Sequence, residues 1–451
     1  MSLLFTDSFD HYTMDLSLDP ENLNAWPLAS KWGIMQFAGR GDLPQVRTHA
    51  TGGRNGLGYL ELNYHDQFGQ YNFLGKYLAQ PKDEVIVGFA MRPYVNVSDV
   101  GGALGTSPPA IYGWDFMGLS RRGICQASAL IGYHNEVIGI GRRDRVYIPP
   151  PPGHGGLIGL GEAVKAMYAA IVALWHPYGT GYTTFSYDEA QGSTGLGVVF
   201  EGLHFEPNGP GLPTSGFEEA VWGNQLGNGP PDTALPGEWH YWEFRIGNGR
   251  MTVQRDGRLY GSWEGDVGNQ YDTIYLGKIG GQSSWPFLFN FRYDYDDVYM
   301  LDTIEPDPVS FLGDVQVTAI RPRAVGTTTG WTPQPDGANW QLVSDRPTPD
   351  FDNGLVSARE TGLIDTYPME HVPRRILGAQ YVYTTKNVSG TSFKLATVTR
   401  RAGQLVGQSV RPSPANYTVY SVPYGLNPLT GVPWVADDFN APDAEHGMAS
   451  T

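Results

Sequence analysis

The chain has a single cysteine, Cys125, among 451 residues. An intramolecular disulfide framework is therefore excluded, and so is a zinc centre built on several thiolates. Charge is scarce: Asp, Glu, Lys and Arg make up 17% of the residues, and 46 acidic side chains outnumber 30 basic ones. The formal charge of −16 argues against nucleic acid as a partner, because phosphate binding depends on clustered lysine and arginine. No uncharged apolar run reaches the ~18 residues of a membrane-spanning helix. The nearest, Ala166 to Trp175, is far too short. The opening Met1-Ser-Leu-Leu-Phe-Thr-Asp7 lacks a basic region followed by a cleavable apolar run, so no signal peptide is expected, and synthesis in a cytoplasm follows. The ten histidines contain no His-Glu-x-x-His, and no Gly-x-Ser-x-Gly elbow is present.

Turn formers and rings are plentiful, with 59 Gly, 34 Pro and 13% aromatic residues, a composition suited to many short strands joined by tight turns. From Phe287 to Tyr295 every second residue is aromatic, with Leu288, Asn290, Arg292 and Asp294 between. That is a strand whose ringed face must lie against a second apolar layer. Three further strands follow from Trp239 to Arg245, Met251 to Gln254 and Leu259 to Trp263, joined by turns at Gly247-Asn-Gly249 and Asp256-Gly257. Upstream, Asn24 to Gly33 reads as a loop anchored by Trp26 and Trp32. The Gly52 to Gly56 turn then precedes strands at Tyr59 to Asn63 and Glu84 to Arg92. Between residues 100 and 236 lie a four-proline run, a helix from Glu162 to Trp175 and, after Asn208, a Gly- and Pro-rich stretch that implies long loops. Glu305-Pro-Asp-Pro308 is a linker. Beyond it, Phe311 to Val317, Ala379 to Thr384, Phe393 to Val398 and Tyr417 to Val422 predict a second β-sandwich over 306–435, with a C-terminal tail at 436–451.

The opening Phe5-Thr-Asp-Ser-Phe-Asp10 and the closing Tyr295-Asp-Asp-Val-Tyr-Met-Leu-Asp302 resemble the first and last strands of the concanavalin-like, laminin-G-like jelly roll. The resemblance implies an all-β fold in which the two ends of residues 1–305 lie side by side, with 100–236 as an insertion. The order Phe311-Leu-Gly-Asp-Val315, Gly330-Trp-Thr-Pro333, Asn339-Trp340, Asp365-Thr-Tyr367, Ile376 to Val382, Asn427-Pro-Leu-Thr-Gly431 and Trp434 resembles tailed-bacteriophage virion proteins that carry such a domain first. It implies a non-enzymatic structural component of the virion, on the tail, its fibres or the baseplate. Sister chains, other virion proteins and host-surface polysaccharide would be its partners. A capsid decoration protein, a carbohydrate-binding receptor-binding module and a glycan-degrading enzyme are the alternatives.

Jelly rolls of this type include retaining glucanases, which resemble one another in a Glu-x-Asp-x-Glu strand. Here Glu264-Gly-Asp266 and Glu305-Pro-Asp307 both lack the third glutamate. Glu238 and Glu243 fall on opposite faces of one strand and read as solvated edges. Asp7, Asp10, Asp294, Asp296 and Asp297 would supply oxygen ligands to a structural calcium ion, as the resemblance allows, or stand as plain polar-face aspartates. No other cofactor is expected. Trp175, Tyr178, Tyr182, Trp222 and Trp285, in or beside the irregular segments, are candidates to stack on sugar rings, or else pack in a core or subunit interface.

Overall fold

Alternation of apolar and polar residues, broken by Gly and Asn-Gly turns, makes an antiparallel all-β protein with a jelly-roll sandwich as its first part. The structure, a computed structural model, describes residues 2–12, 26–37, 46–65, 72–96, 113–121, 124–132, 138–148, 183–187, 198–203, 238–264, 269–278, 290–303, 310–344, 354–372, 375–390 and 392–451. In chain order the first part comprises β1 (Ser2–Asp7), α1 (Trp26–Trp32), β2 (Gly33–Phe37), β3 (Val46–His49), β4 (Tyr59–His65), β5 (Asn72–Lys82) and β6 (Glu84–Asn96). It continues with β7 (Gly113–Arg121), β8 (Ile124–Gly132), β9 (Ile138–Ile148), β10 (Thr183–Tyr187) and β11 (Val198–Leu203). It ends with β12 (His240–Gly247), β13 (Arg250–Arg255), β14 (Arg258–Glu264), β15 (Tyr271–Lys278) and β16 (Asn290–Asp302). The helix expected at Glu162 to Trp175, the loops of 208–236 and the linker at 305–308 lie outside the described residues.

One sheet runs β14-β13-β12-β6-β16-β4-β3, with β1 also on β16; the other runs β10-β11-β9-β8-β7-β15-β5-β2. Strand β16 is shared along its length. Asn290 to Tyr295 pair with β4, and Val298 to Asp302 pair with β1, so the two ends of this part do lie side by side. The handover is a bulge at Asp296 and Asp297, where Asp297 takes φ 52°. Directly paired residues share a face, so register assigns the two faces of this sheet. The apolar face carries Val87, Phe89, Met91, Trp242, Phe244, Tyr293 and Tyr295, all buried. Phe89 stacks on Phe244 at 5.7 Å and meets Tyr295 edge-on. Leu74, Ile274 and Leu276 of the second sheet are buried as well, and Lys76 of β5 sits 4.6 Å from the ring of Phe5 on β1.

The segment expected as a loop before β2 is instead the seven-residue helix α1. Pro27 is tolerated in a first turn, and Leu28 and Trp32, one turn apart, are both buried. The indole of Trp32 donates to Asp7 at 2.8 Å. Seven residues are too few for a helical period to stand out. The backbone of Trp26 is described, its side chain is not.

The second part holds β17 (Thr332–Gln334), α2 (Asn339–Ser344), β18 (Leu355–Ser357), β19 (Ile364–Tyr367), β20 (Ala379–Thr385), β21 (Lys394–Arg401), β22 (Gln404–Pro412), β23 (Thr418–Tyr424), α3 (Asp437–Asn440) and β24 (Glu445–Ser450). Its sheets are β19-β24-β21-β22, β20-β23 and β17-β18. Residues 436–451, expected as a tail, contain α3 and β24, and β24 lies between β19 and β21. Phe311 to Val317, expected as a strand of this part, pairs with no strand among the described residues. It lies across the first sheet. Gln380 clamps β1, accepting from Thr6 N at 3.0 Å and donating to Thr6 O at 2.8 Å, while Val419 N donates to Ser30 Oγ of α1.

His446 pins this second part. Its Nε2 donates to Asp438 O at 2.9 Å, its Nδ1 accepts from Tyr381 at 2.6 Å, and its ring stacks on Phe439 at 4.5 Å. Burial holds its pKa down, at about 4 against an ordinary 6.5. The unfolded chain therefore binds the proton first as pH falls. The stability of the neutral ring is complete above pH 6.5 and is lost as pH drops towards 4, a difference of roughly 3 kcal/mol. Urea unfolding of wild type and His446→Gln compared from pH 7 to pH 4 should show wild type losing this amount relative to the variant, because the groups common to both cancel in the difference.

Candidate functional site

The other face of the first sheet divides into a covered half and an open half. Ile86, Gly88 and Ala90 of β6 alternate with the core residues and point the opposite way. They join Tyr241 and Glu243 of β12 and Tyr299 and Leu301 of β16. Phe311, Leu312 and Val315 pack on the apolar members of this half. Gly88 is required here, because a Cβ would stand 2.1 Å from the Tyr299 ring.

Glu243, expected as a solvated edge, is fully buried under this cover. Its Oε1 accepts from the Tyr299 hydroxyl and from Gly313 N at 2.9 Å, while Oε2 has no hydrogen-bond partner among the described residues. Burial raises its pKa. Glu238, by contrast, is exposed. A second clamp is built at the bulge. Asp297 Oδ1 accepts from Val317 N at 2.7 Å, and Oδ2 accepts from Asn55 and Arg54. Arg54 also donates to Val315 O at 3.0 Å, pairs with Asp314 and lies over the Tyr241 ring at 4.9 Å.

The open half belongs to β3, β4, β6 and β16, where register sets Arg47 opposite Glu61, Glu61 opposite Asp294, and Asp294 opposite Arg92. Asp294 is completely buried. It accepts from Arg292 Nε at 2.6 Å and Nη2 at 2.9 Å on one side, and from Arg92 at 2.7 and 3.0 Å on the other. Glu61 takes His49 Nε2 at 2.9 Å, Arg292 Nε at 3.1 Å and, at longer range, Arg47 at 3.9 Å. Burial works to raise the Glu61 carboxyl, but the His49 hydrogen bond and the charge of Arg292 outweigh it, leaving it below its ordinary value. Aromatic rings fill the gaps: His49 stacks on Tyr59 at 4.3 Å, and Arg92 lies 4.6 Å over Trp239. Burial and then the nearby Asp294 push the Tyr59 phenol to about 12. Such an array presents fixed guanidinium groups to an anion.

The five aspartates do not come together as one ligand set. Asp7 is buried against Lys31 at 3.0 Å and also accepts from Trp32 and Tyr12. Asp294 is saturated by its two arginines. Asp10, Asp296 and Asp297 interact electrostatically around the bulge, but their oxygens receive Gly58 N, Arg54 N and Val317 N respectively. Among the described residues no group of three or more His, Cys, Asp or Glu is placed to hold a metal ion. Trp175, Tyr178, Tyr182, Trp222 and Trp285 lie outside the described residues. Sequence reading placed Arg292 and Asp294 on a polar face but missed Arg47, His49, Glu61 and Arg92 as members of one array, since only strand register unites them.

No known family model and no curated protein sequence matches the chain. Among solved structures, the chain is similar at 9% identity and a TM-score of 0.28 to the binding domain of Paraclostridial Mosquitocidal Protein 1, over 66% of this chain and 48% of that one. It thus spans about half the length of that domain. Botulinum neurotoxin type C, which interacts with two ganglioside molecules, matches at 8% identity and 0.25, over 93% and 97% of the two chains. The marine alginate lyase AlyA1 from Zobellia galactanivorans matches at 8% and 0.23, over 61% and 86%. Likenesses this distant carry no ligand or reaction over to this chain. Among the described residues no helix is long and apolar enough to cross a membrane.

Two expectations follow for the covered half. Glu243→Ala strands the donors of Gly313 and Tyr299 and should cost roughly 3 kcal/mol in denaturant unfolding. Glu243→Gln keeps the acceptor and should cost far less. The bulge gives a pH dependence of opposite sign to that of His446. Burial, then the charge of Asp297, raises Asp296 to about 9, and burial raises Asp297 to about 6, so the folded chain binds more protons than the unfolded one above pH 4. Stability from this pair falls as pH rises towards 9. Melting curves from pH 6 to pH 9 should show a decline that Asp296→Asn flattens.

Proposed function

We propose that the chain is a non-enzymatic structural component of a tailed-phage virion, carried on the tail, its fibres or the baseplate, where it meets host-surface polysaccharide. The observation that supports this most is the way the two β-rich parts are locked together. Buried Glu243 and Asp297 hold the backbone of 313–317, apolar side chains seal the contact, and Gln380 and Ser30 tie the second part to β1 and α1. Contacts of this kind hold the two parts in one arrangement, which suits a component of a larger assembly. The order of motifs along the chain, similar to that of phage virion proteins, supports the same reading. Sister-chain contact has apolar side chains at its disposal in the second part, where Val382, Val388 and Val410 stand exposed.

Mass spectrometry of purified phage particles, followed by antibody-gold labelling, tests the proposal. Gold on the tail is the expected result. Gold over the head would replace it with the decoration reading, and absence of the protein from particles would overturn the structural role altogether.

A further inference from the structure

The open half-face is unusual for so acidic a chain. Among the described residues, three guanidinium groups, from Arg47, Arg92 and Arg292, gather around two buried carboxylates, Glu61 and Asp294, in a chain whose formal charge is −16. The acids are at the bottom, with side chains 3% and 0% exposed. The side chains of Arg47, Arg292 and His49 reach the surface at 36%, 31% and 21%. The carboxylates therefore act as a floor that fixes the guanidinium planes from below, and Tyr59 fixes them from the side through its hydroxyl, 2.9 Å from Arg292 Nη2. Arg292 and His49 lose little further side-chain freedom on meeting a ligand, which removes part of the cost of binding.

We propose that this half-face, through Arg47, His49 and Arg292, binds the carboxylate groups of an acidic polysaccharide. A planar carboxylate matches the planar guanidinium of Arg47, the most exposed of the three side chains, while Arg292, whose Nε and Nη2 hold Asp294, is kept in plane beside it. The density of charge narrows the class further. A nucleic acid brings closely spaced phosphates to the whole acidic surface, and long-range repulsion opposes it. An acidic polysaccharide carries about one carboxylate per charged sugar ring and needs only the local patch. The inference concerns the isolated chain and does not depend on where the protein sits on a particle.

Affinity electrophoresis in native gels containing polygalacturonate, hyaluronate, dextran or dextran sulfate tests it, with wild type, Arg47→Ala and Arg292→Lys compared. Melting temperature serves as the check on folding, and Arg47→Ala, at a half-buried position whose contact with Glu61 is a long 3.9 Å, should change it little. The expected result is retardation of wild type by polygalacturonate or hyaluronate and not by dextran. Each substitution should weaken it about tenfold, Arg292→Lys doing so with the charge retained. Passage of folded wild type through both carboxylated gels without retardation would overturn the proposal. So would dextran sulfate retarding wild type and both variants alike, which marks unspecific ion exchange. Neither result bears on the virion assignment, which gold labelling decides separately.

Discussion

A β-sheet has two faces, and burying one in a sandwich leaves the problem of the other. In this protein the aromatic rings of β16 and their neighbours on β6 and β12 occupy the face turned to the second sheet. The opposite face is handled in two ways along the same strands. Past the bulge at Asp296 and Asp297 it carries Tyr299 and Leu301 and is covered by Phe311, Leu312 and Val315. Before the bulge it carries Arg292 and Asp294, which join Arg92 and Glu61 in a charged network. The bulge is where one solution changes into the other, and it is also where β16 exchanges β4 for β1. The attachment of the second part follows from this arrangement.

Carboxylates do most of the holding, and each works because its partners are fixed. Asp7, Glu243, Asp294 and Asp297 are all buried, and each accepts from named donors on other elements. Pairing a buried charge in this way specifies geometry more than it adds stability. It also makes the protein responsive to pH from both ends. The buried imidazole of His446 weakens the second part in acid, while the crowded pair at the bulge is relieved in acid and strained in base.

Much of the fold was legible because it is written locally. The rings of Tyr293 and Tyr295, the Asp256-Gly257 turn and the strands on either side of it occur where alternation and turn chemistry place them. What escaped is settled by distant partners. Glu445 to Ser450 contains no β-branched or large aromatic residue and becomes a strand because β19 and β21 receive it on both edges. Phe311 to Val317 alternates like a strand, yet it is claimed by the donors and acceptors of Glu243, Arg54 and Asp297. Glu243 looked like any surface acid until β12 was seen under that cover. The charged array has no local motif at all, since Arg47, Glu61, Arg92 and Asp294 are neighbours only across four strands.

The central claim is that residues 311–317 are an integral layer of the first sheet and lock the second part to it. Native-state hydrogen exchange at the amides of Gly313 and Val317 tests this directly. Both donate to buried carboxylates. They should exchange only through unfolding that also releases β12 and β16, with the same free energy as the amides of those strands. Exchange at the rate of an exposed loop, while β12 and β16 stay protected, would contradict the account.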